Sequence, residues 1–447
     1  MQHRSPSGDA SGWPYKAGLT FPAPLDALWS YHQRPASDLN VVKAVRAAAV
    51  WRENTGIERF LQAARYLGWG FQFPIDLARF LMMRGPEAKT RLGRGYIDQT
   101  KDMLKVATRN GLMPRDYYTG DLARHGGGEE MLNSLPYHLY ETVARHILPD
   151  GAATYFGLPG DKYAFENRCR EFGLPVVRTI AIAYPDVVNA FAGEGIVEAL
   201  PPRDLLIKPV DGRGGQDIER WDFIGRGQFV GADGKPVSGD ELMNHFSSSS
   251  LSLGSPMLVQ LCLENNSELQ SFSGLALSKT RIATFLDEQE KPEIVAANFR
   301  PSIASNAPID YSDSRDVSFP LDIETGRLAD GYGDARDTPG PIVNHPETGA
   351  TVSGELLPGW DLMSALALRA HRAFSDIPFI GWDIAYTPDG PIIVEANVPP
   401  GTMHEKHAAA GPLVGTRSFT LLAFHAGRWS EAAEPMDSRW RCGGTVP

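Results

Sequence analysis

At 447 residues, with 42% hydrophobic and 22% charged side chains, the chain has ordinary globular composition and enough length for two or three packed units. Its net charge of −11 argues against a nucleic-acid binder, which would carry a basic excess, although a local basic pocket remains compatible with it. The three cysteines, Cys169, Cys262 and Cys442, are far apart and lack metal-ligand spacing. They point to buried thiols in a reducing compartment rather than to a disulfide scaffold or zinc site.

Residues 1–36 read as a flexible lead-in, polar and broken by Pro and Gly, unlike a signal peptide. No later run approaches the roughly 20 apolar residues that a spanning helix needs, so a soluble, cytoplasmic protein is expected. From Asp38 the pattern turns helical: Val42, Val45 and Ala49 fall at three-to-four spacing, with Lys43, Arg46 and Arg52 off that stripe. ERFLQAARYLGWGF and FPIDLARFLMMRG continue in this way, and GRGYIDQTKDMLKVATRNG stops at a glycine. Residues 37–150 are therefore expected to form a helical region, with Gly126–Gly128 in a loop and Trp51, Trp69, Phe71 and Phe73 in its core.

After Asp161 the periodicity changes. DKYAFENRCREFGLP reads as a capped helix ending at Gly173, and VVRTIAIAY as a strand. LLIKPVDGRGGQDIERWDF is a buried strand, a glycine-rich loop and a second strand. SPMLVQLCLEN is a further strand, KTRIATFLDE and PEIVAANFRPS alternate like an antiparallel pair, and GWDLMSALALRAHRAFSD is an amphipathic helix. Helices interspersed with several hairpins predict an α+β fold rather than a doubly wound sheet.

The most informative stretch is Phe379–His407. Two strand-like runs flank the turn Thr387-Pro388-Asp389-Gly390, which predicts a hairpin. Glu395 and Asn397, two apart on a strand, share a face, and the hairpin can set Asp383 opposite them. Three converging oxygen donors suit a hard cation such as Mg2+ shared with phosphate; a solvent-facing hairpin would carry the same residues. Thr402, His404 and His407 follow in a Pro/Gly loop and are candidates for substrate contacts.

Upstream, Lys208 closes the strand Leu205–Ile207, and the loop 211–216 with Gly212, Gly214 and Gly215 follows. Glycines let backbone N–H groups approach an anion, and the lysine adds a point charge; a tight hairpin with a surface lysine is the alternative. Lys162, before a helix, would supply a second phosphate contact; a solvated surface lysine is the alternative. Val259–Glu264 reads as a hinge in which Leu261 and Leu263 flank an adenine ring, with Glu268 placed for ribose; a core strand with an exposed acidic turn is the alternative. Arg281, set within strand residues, requires an anionic partner if buried: phosphate, a developing oxyanion or a structural carboxylate. Arg281 and Lys208 are the candidate catalytic residues.

A lysine before a helix, a strand-end lysine with a glycine-rich loop, a hinge, and D…E-x-N, in that order, resemble the ATP-grasp superfamily. More narrowly, KTRIAT, NHPETGATVSGELLPGW and IGWDIAYTPDGPIIVEANVPPG look like the sugar-transfer-associated ATP-grasp family. The resemblance covers roughly residues 90–415. It implies two α+β subdomains gripping ATP, at 151–258 and 259–420, followed by a tail at 421–447. It also implies that Lys162 and Lys208 contact ATP phosphates, that Gln260, Leu261, Leu263 and Glu268 hold adenosine, and that Asp383, Glu395 and Asn397 hold Mg2+, or Mn2+ in its place. The segment 306–331 departs from the family's Asn- and Gly-rich loop, which puts substrate selection in doubt. The reading is an ATP- and Mg2+-dependent ligase joining a small-molecule carboxylate to an amine through an acyl phosphate. The alternatives are phosphoryl transfer without ligation and a nucleotide-binding accessory of polysaccharide assembly. No nucleic acid or membrane span is expected, and oligomeric state is not legible.

Overall fold

The computed structural model describes residues 37–53, 57–110, 112–119, 122–128, 131, 143–149, 152, 161–184, 188–192, 195–197, 199–212, 217–274, 276–303, 317–333, 341–400 and 414–433. The chain divides into two units, Met1–Ile147 with Lys406–Pro447, and Leu148–Glu405.

In the first unit, helices α1 (Asp38–Glu53), α2 (Ile57–Leu92), α3 (Tyr96–Asn110) and α4 (Pro114–Thr119) follow one another. Helix Arg417–Ala433 packs on α1. The two apolar segments expected from the sequence belong to one helix: α2 contains both Pro74 and Pro86. A proline removes one backbone donor from a helix, and the loss is offset by side chains that enter the core on both sides of the prolines. Phe73, Ala88, Met103, Val106, Leu112 and Tyr117 form that core. Phe71 corrects the expectation of a core aromatic, because it is 80% exposed. Residues two apart on a helix point to nearly opposite sides, so Phe71 and Phe73 cannot both face inward. Trp51 and Trp69 lie outside the residues whose side chains are described.

The second unit opens with α5 (Lys162–Glu171), capped by Asp161, whose carboxylate accepts from the Tyr163 and Ala164 amides, and closed by Gly173 at φ +61°. Strands β1 (Thr179–Ala183), β2 (Val188–Ala192), β3 (Gly195–Val197), β4 (Leu205–Pro209), β5 (Glu219–Gly225), β6 (Gln228–Val230) and β7 (Pro236–Ser238) follow. After them come helix α6 (Gly239–Leu253) and strand β8 (Met257–Leu261). These form an eight-stranded antiparallel sheet in the order β3-β2-β1-β8-β4-β5-β6-β7. Leu242 and Phe246 of α6 pack on its Ala181, Leu205, Ile207 and Val259. Helix α6 starts with a capping box in which Ser238 and Glu241 bond reciprocally to each other's backbone N–H.

A second sheet is built from β9 (Lys279–Leu286), β10 (Pro292–Arg300), β11 (Phe319–Leu321), and, after helix α7 (Trp360–Arg372), β12 (Phe379–Thr387) and β13 (Gly390–Asn397). Its order is β11-β10-β9-β12-β13, again antiparallel throughout. The expected turn closes the β12–β13 hairpin, with Thr387 paired to Gly390. The segment between α5 and β1 joins the two sheets: the Val177 amide donates to the Ile393 carbonyl, and the Ile393 amide to Pro175, both at 2.9 Å. The fold is α+β. Among the described residues, no helix is long and apolar enough to cross a membrane. Cys169 is buried and Cys262 half-buried; Cys442 lies outside the described residues.

Candidate active site

The register of the second sheet sets polar residues in a row across four strands. Asn298 on β10 faces Arg281 on β9, Arg281 faces Asp383 on β12, and Asp383 faces Glu395 on β13. Directly opposed residues project to the same side of a sheet, so these four side chains share one face. Asn397, paired with Gly381, sits two residues further on that face. Beside Glu395 the pairing slips, leaving Val394 unmatched between the Asp383–Glu395 and Ile384–Ile393 pairs. Such a bulge twists a strand locally and re-aims neighbouring side chains.

Arg281 is buried, and its guanidinium clamps both oxygens of the buried Asp383, the Nη2 contact being 2.9 Å. Its Nη1 donates to the Pro400 carbonyl at 3.1 Å. The chain after β13 can fold back this closely only because residue 381 is glycine; a Cβ there would collide with the Pro400 backbone. Lys279 stands 3.7 Å from Asp383. Burial alone would push the Asp383 carboxyl up, but the Arg281 and Lys279 charges overcome it and hold the group well below the usual carboxylate range.

The first sheet contributes lysines. Lys208, at the end of β4 opposite Leu258, is buried, an environment that lysines occupy almost only with a partner. Burial pushes its ammonium down to about 8; Glu395 raises it in part, and Lys162 and Lys279 lower it further. Lys162, at the start of α5, donates to the carbonyls of Val210 at 3.3 Å and of Gly212, so it gathers the beginning of the glycine-rich loop. Gly212 lies against the Pro209 ring, where an added Cβ would sit at 3.1 Å. Gly214, Gly215, Thr402, His404 and His407 lie outside the described residues.

The remaining candidates occupy the strand beside β4 and its continuation. Gln260 is buried on β8 and pairs with Leu206; Leu261 pairs with Leu205 and, like Leu263, is half-buried. Glu268 is exposed in a short turn of 3₁₀ helix and accepts from the Tyr386 hydroxyl of β12 at 3.3 Å. The structure therefore brings Lys162, Lys208, Arg281, Asp383 and Glu395 into one electrostatic neighbourhood and ties Glu268 to the same hairpin. Sequence reasoning did not single out Glu166, Lys279, Asn298 or Arg300. Glu166 is buried within reach of Lys208, and its carboxylate accepts from the Thr179 amide at 3.0 Å. Lys279 had a signal, since it lies two residues before Arg281 and so shares its face; Arg300 and Asn298 depended on register. A separate open groove of about 710 Å³ along α5 is lined by Asn167, Arg170, Leu174, Val176 and Arg178. It includes none of the residues above.

Residues 152–411 match the sequence profile of the family described as sugar-transfer associated ATP-grasp. The chain belongs to that family. No curated protein matches this ATP-grasp chain. Among solved structures it is similar to an L-amino acid ligase from Bacillus licheniformis, at 12% identity and TM-score 0.31, over 62% of this chain and 46% of that one. D-alanyl-alanine synthetase A from Vibrio cholerae aligns at 10% identity and TM-score 0.34, over 62% and 65%. A D-alanine–D-alanine ligase from Bacillus anthracis, complexed with ATP, aligns at 13% identity and TM-score 0.31, over 62% and 67%. The ATP-grasp protein thus spans 46% and 65% of the first two chains.

Proposed function

We propose that this ATP-grasp protein is an ATP- and Mg2+-dependent ligase that joins a small-molecule carboxylate to an amine through an acyl phosphate. The observation that carries the reading is the row Arg281–Asp383–Glu395, with Asn397 on the same face, Lys208 supplied by the other sheet and Lys162 by helix α5. Five cations (Lys162, Lys208, Lys279, Arg281 and Arg300) act on a neighbourhood holding the carboxylates Asp383, Glu395 and Glu166. A positive excess inside a half-buried site suits a polyanion such as a triphosphate.

The donor set fits Mg2+. Asp383 and Glu395 are cross-strand neighbours, and Asn397 lies two residues further on the same face with its side-chain nitrogen buried without a hydrogen-bond partner, so its amide oxygen can be the third donor. Among the described residues no three His, Cys, Asp or Glu side chains cluster as a metal site. Asp383, Glu395 and the Asn397 amide oxygen would hold a divalent ion here, which would share phosphate oxygens and keep water as Mg2+ commonly does. Bound there, Mg2+ would neutralise charge on the transferring phosphoryl group.

The chain's own residues do the rest by placement and charge. Lys162 draws the glycine-rich loop toward the phosphates, Lys208 offers a buried ammonium to them, and Arg281 fixes the Asp383 carboxylate in one orientation. Asp383 stays ionised at neutral pH because its neighbours depress its pKa. No protein nucleophile is required: the substrate carboxylate attacks the terminal phosphoryl group, ADP leaves, and the amine displaces phosphate. In this reading residues 151–258 and 259–420 are the two gripping subdomains, and the protein works in the cytoplasm. The test is ADP release with a panel of carboxylic acids in hydroxylamine. Acid-dependent ADP formation with a matching hydroxamate supports ligation. A phosphorylated product that survives hydroxylamine would instead indicate a kinase.

A further inference from the structure

The groove beside helix α5 takes no part in the candidate active site: none of Lys162, Lys208, Arg281, Asp383 or Glu395 lines it. Asn167, Arg170 and Glu171 line it from the helix, and Arg178 from the segment before β1. Residues at i, i+3 and i+4 share one side of a helix, so the first three side chains leave α5 together. Leu174 and Val176, both buried, lie between the two arginines in the chain and also line the groove. Its volume of about 710 Å³ is that of a pocket for a metabolite-sized molecule. The charges around it are unevenly engaged. Glu171 stands 3.5 Å from Arg168, which lies outside the groove and whose Nε also donates to the Ala373 carbonyl at 3.3 Å. Among the described residues, the side chains of Asn167, Arg170 and Arg178 have no hydrogen-bond or ion-pair partner. In a chain of net charge −11, two guanidiniums left without a carboxylate around one concavity make a local positive field. The planar fork of a guanidinium matches a carboxylate or a phosphate group. The groove also borders the junction of the two sheets, where the Val177 amide and the Pro175 carbonyl bond to Ile393, two residues before Glu395.

We propose that this groove is a second ligand site, for a small molecule bearing a phosphate ester or paired carboxylates, which Arg170 and Arg178 grip together with Asn167 as a further donor. The site rests on neither the ligase reading nor ATP binding. To test it, the full chain is treated with phenylglyoxal, which modifies accessible guanidiniums, in the presence and absence of inorganic phosphate or citrate, and each arginine is followed by peptide mass spectrometry. Arg170 and Arg178 are expected to react in the free chain and to be protected together by at least one of the anions at concentrations up to about 10 mM. The exposed Arg203, outside the groove, should react at the same rate throughout. Arg178→Gln should raise about tenfold the anion concentration that protects Arg170, and Arg170→Gln should do the same for Arg178, because one charged hydrogen-bonding partner is lost. Both residues are exposed, so the variants should melt with the parent. Protection by citrate alone identifies paired carboxylates, and by phosphate alone a phosphate ester; either, or both, supports the site. The proposal is overturned if neither anion protects either arginine, if Arg203 is protected to the same extent, or if each arginine is protected equally well when the other is replaced by Gln.

Discussion

The two faces of the five-stranded sheet are made from the same strands and put to opposite uses. On one face, β9 and β12 present Thr284 and Trp382 to helix α7. There the Thr284 hydroxyl contacts His371 Nδ1 at 2.7 Å and accepts from Trp382 Nε1 at 2.8 Å, and His371 Nε2 meets the Ile377 carbonyl at 2.8 Å. These polar groups are buried and mutually satisfied, so they rigidify the strands. On the other face the same strands carry Lys279, Arg281 and Asp383, with Arg300 beside them: a crowded, charged cluster in which Arg281 clamps both Asp383 oxygens. A fully satisfied network stabilises the fold. A buried cluster of charges carries a desolvation cost and shifts its members' pKa values, as functional sites often do.

That contrast can be broken experimentally, and the largest effect is expected on the charged face. Glu395→Gln should reduce acid-dependent ADP release about 100-fold, on the scale of losing one preorganised charge at a reacting phosphoryl group, while the melting temperature stays close to the parent's. A variant that turns over normally would remove Glu395 from the Mg2+ set. On the opposite face His371→Ala should do the reverse. It leaves a cavity and removes the His371 partner of the Thr284 hydroxyl and of the Ile377 carbonyl, so urea unfolding should show a loss of about 2–4 kcal/mol with ATP affinity nearly unchanged. If nucleotide binding fell in step with stability, the two faces would not be separable.

Lys208 gives an intermediate effect with a pH signature. Its ammonium is held down to about 8 in the free protein, and it must be charged to meet phosphate. ATP affinity should therefore weaken as pH rises through about 8, and below that point the dependence should flatten. Near pH 8 binding should take up protons, which calorimetry in buffers of different ionisation enthalpy will show. Lys208→Met should abolish the pH dependence and weaken ATP about tenfold without lowering stability, since it removes a buried charge. The smallest effect belongs to the rim: Tyr386→Phe removes one exposed hydrogen bond to Glu268 and should shift stability by less than about 0.5 kcal/mol.

How much of this was legible before folding differs from element to element. The β12–β13 hairpin was readable because Thr387-Pro388-Asp389-Gly390 is strong turn chemistry and period-two alternation fixes which residues share a face. The capped helix from Asp161 to Gly173 was readable from its boundary residues for the same local reason. Helix α6 carried a comparable signal in Ser238 and Glu241, yet its serine-rich body, Ser247–Ser250, hides the apolar stripe. Phe71 misled because a helix interrupted by proline conceals its phase. The bulge at Val394 leaves no local mark, since one unmatched residue is defined only against a partner strand.

By itself, then, the sequence determined the order of the parts: a lysine before a helix, a strand-end lysine with a glycine-rich loop, and a hairpin bearing Asp383, Glu395 and Asn397. These follow from local periodicity and turn preference, which act over a few residues. Only the tertiary structure decided that Arg281 engages Asp383, that Lys208 is buried, and that Lys279 faces Arg300. Each of these depends on register between strands up to about a hundred residues apart in the chain, and on burial, which no short stretch of sequence controls.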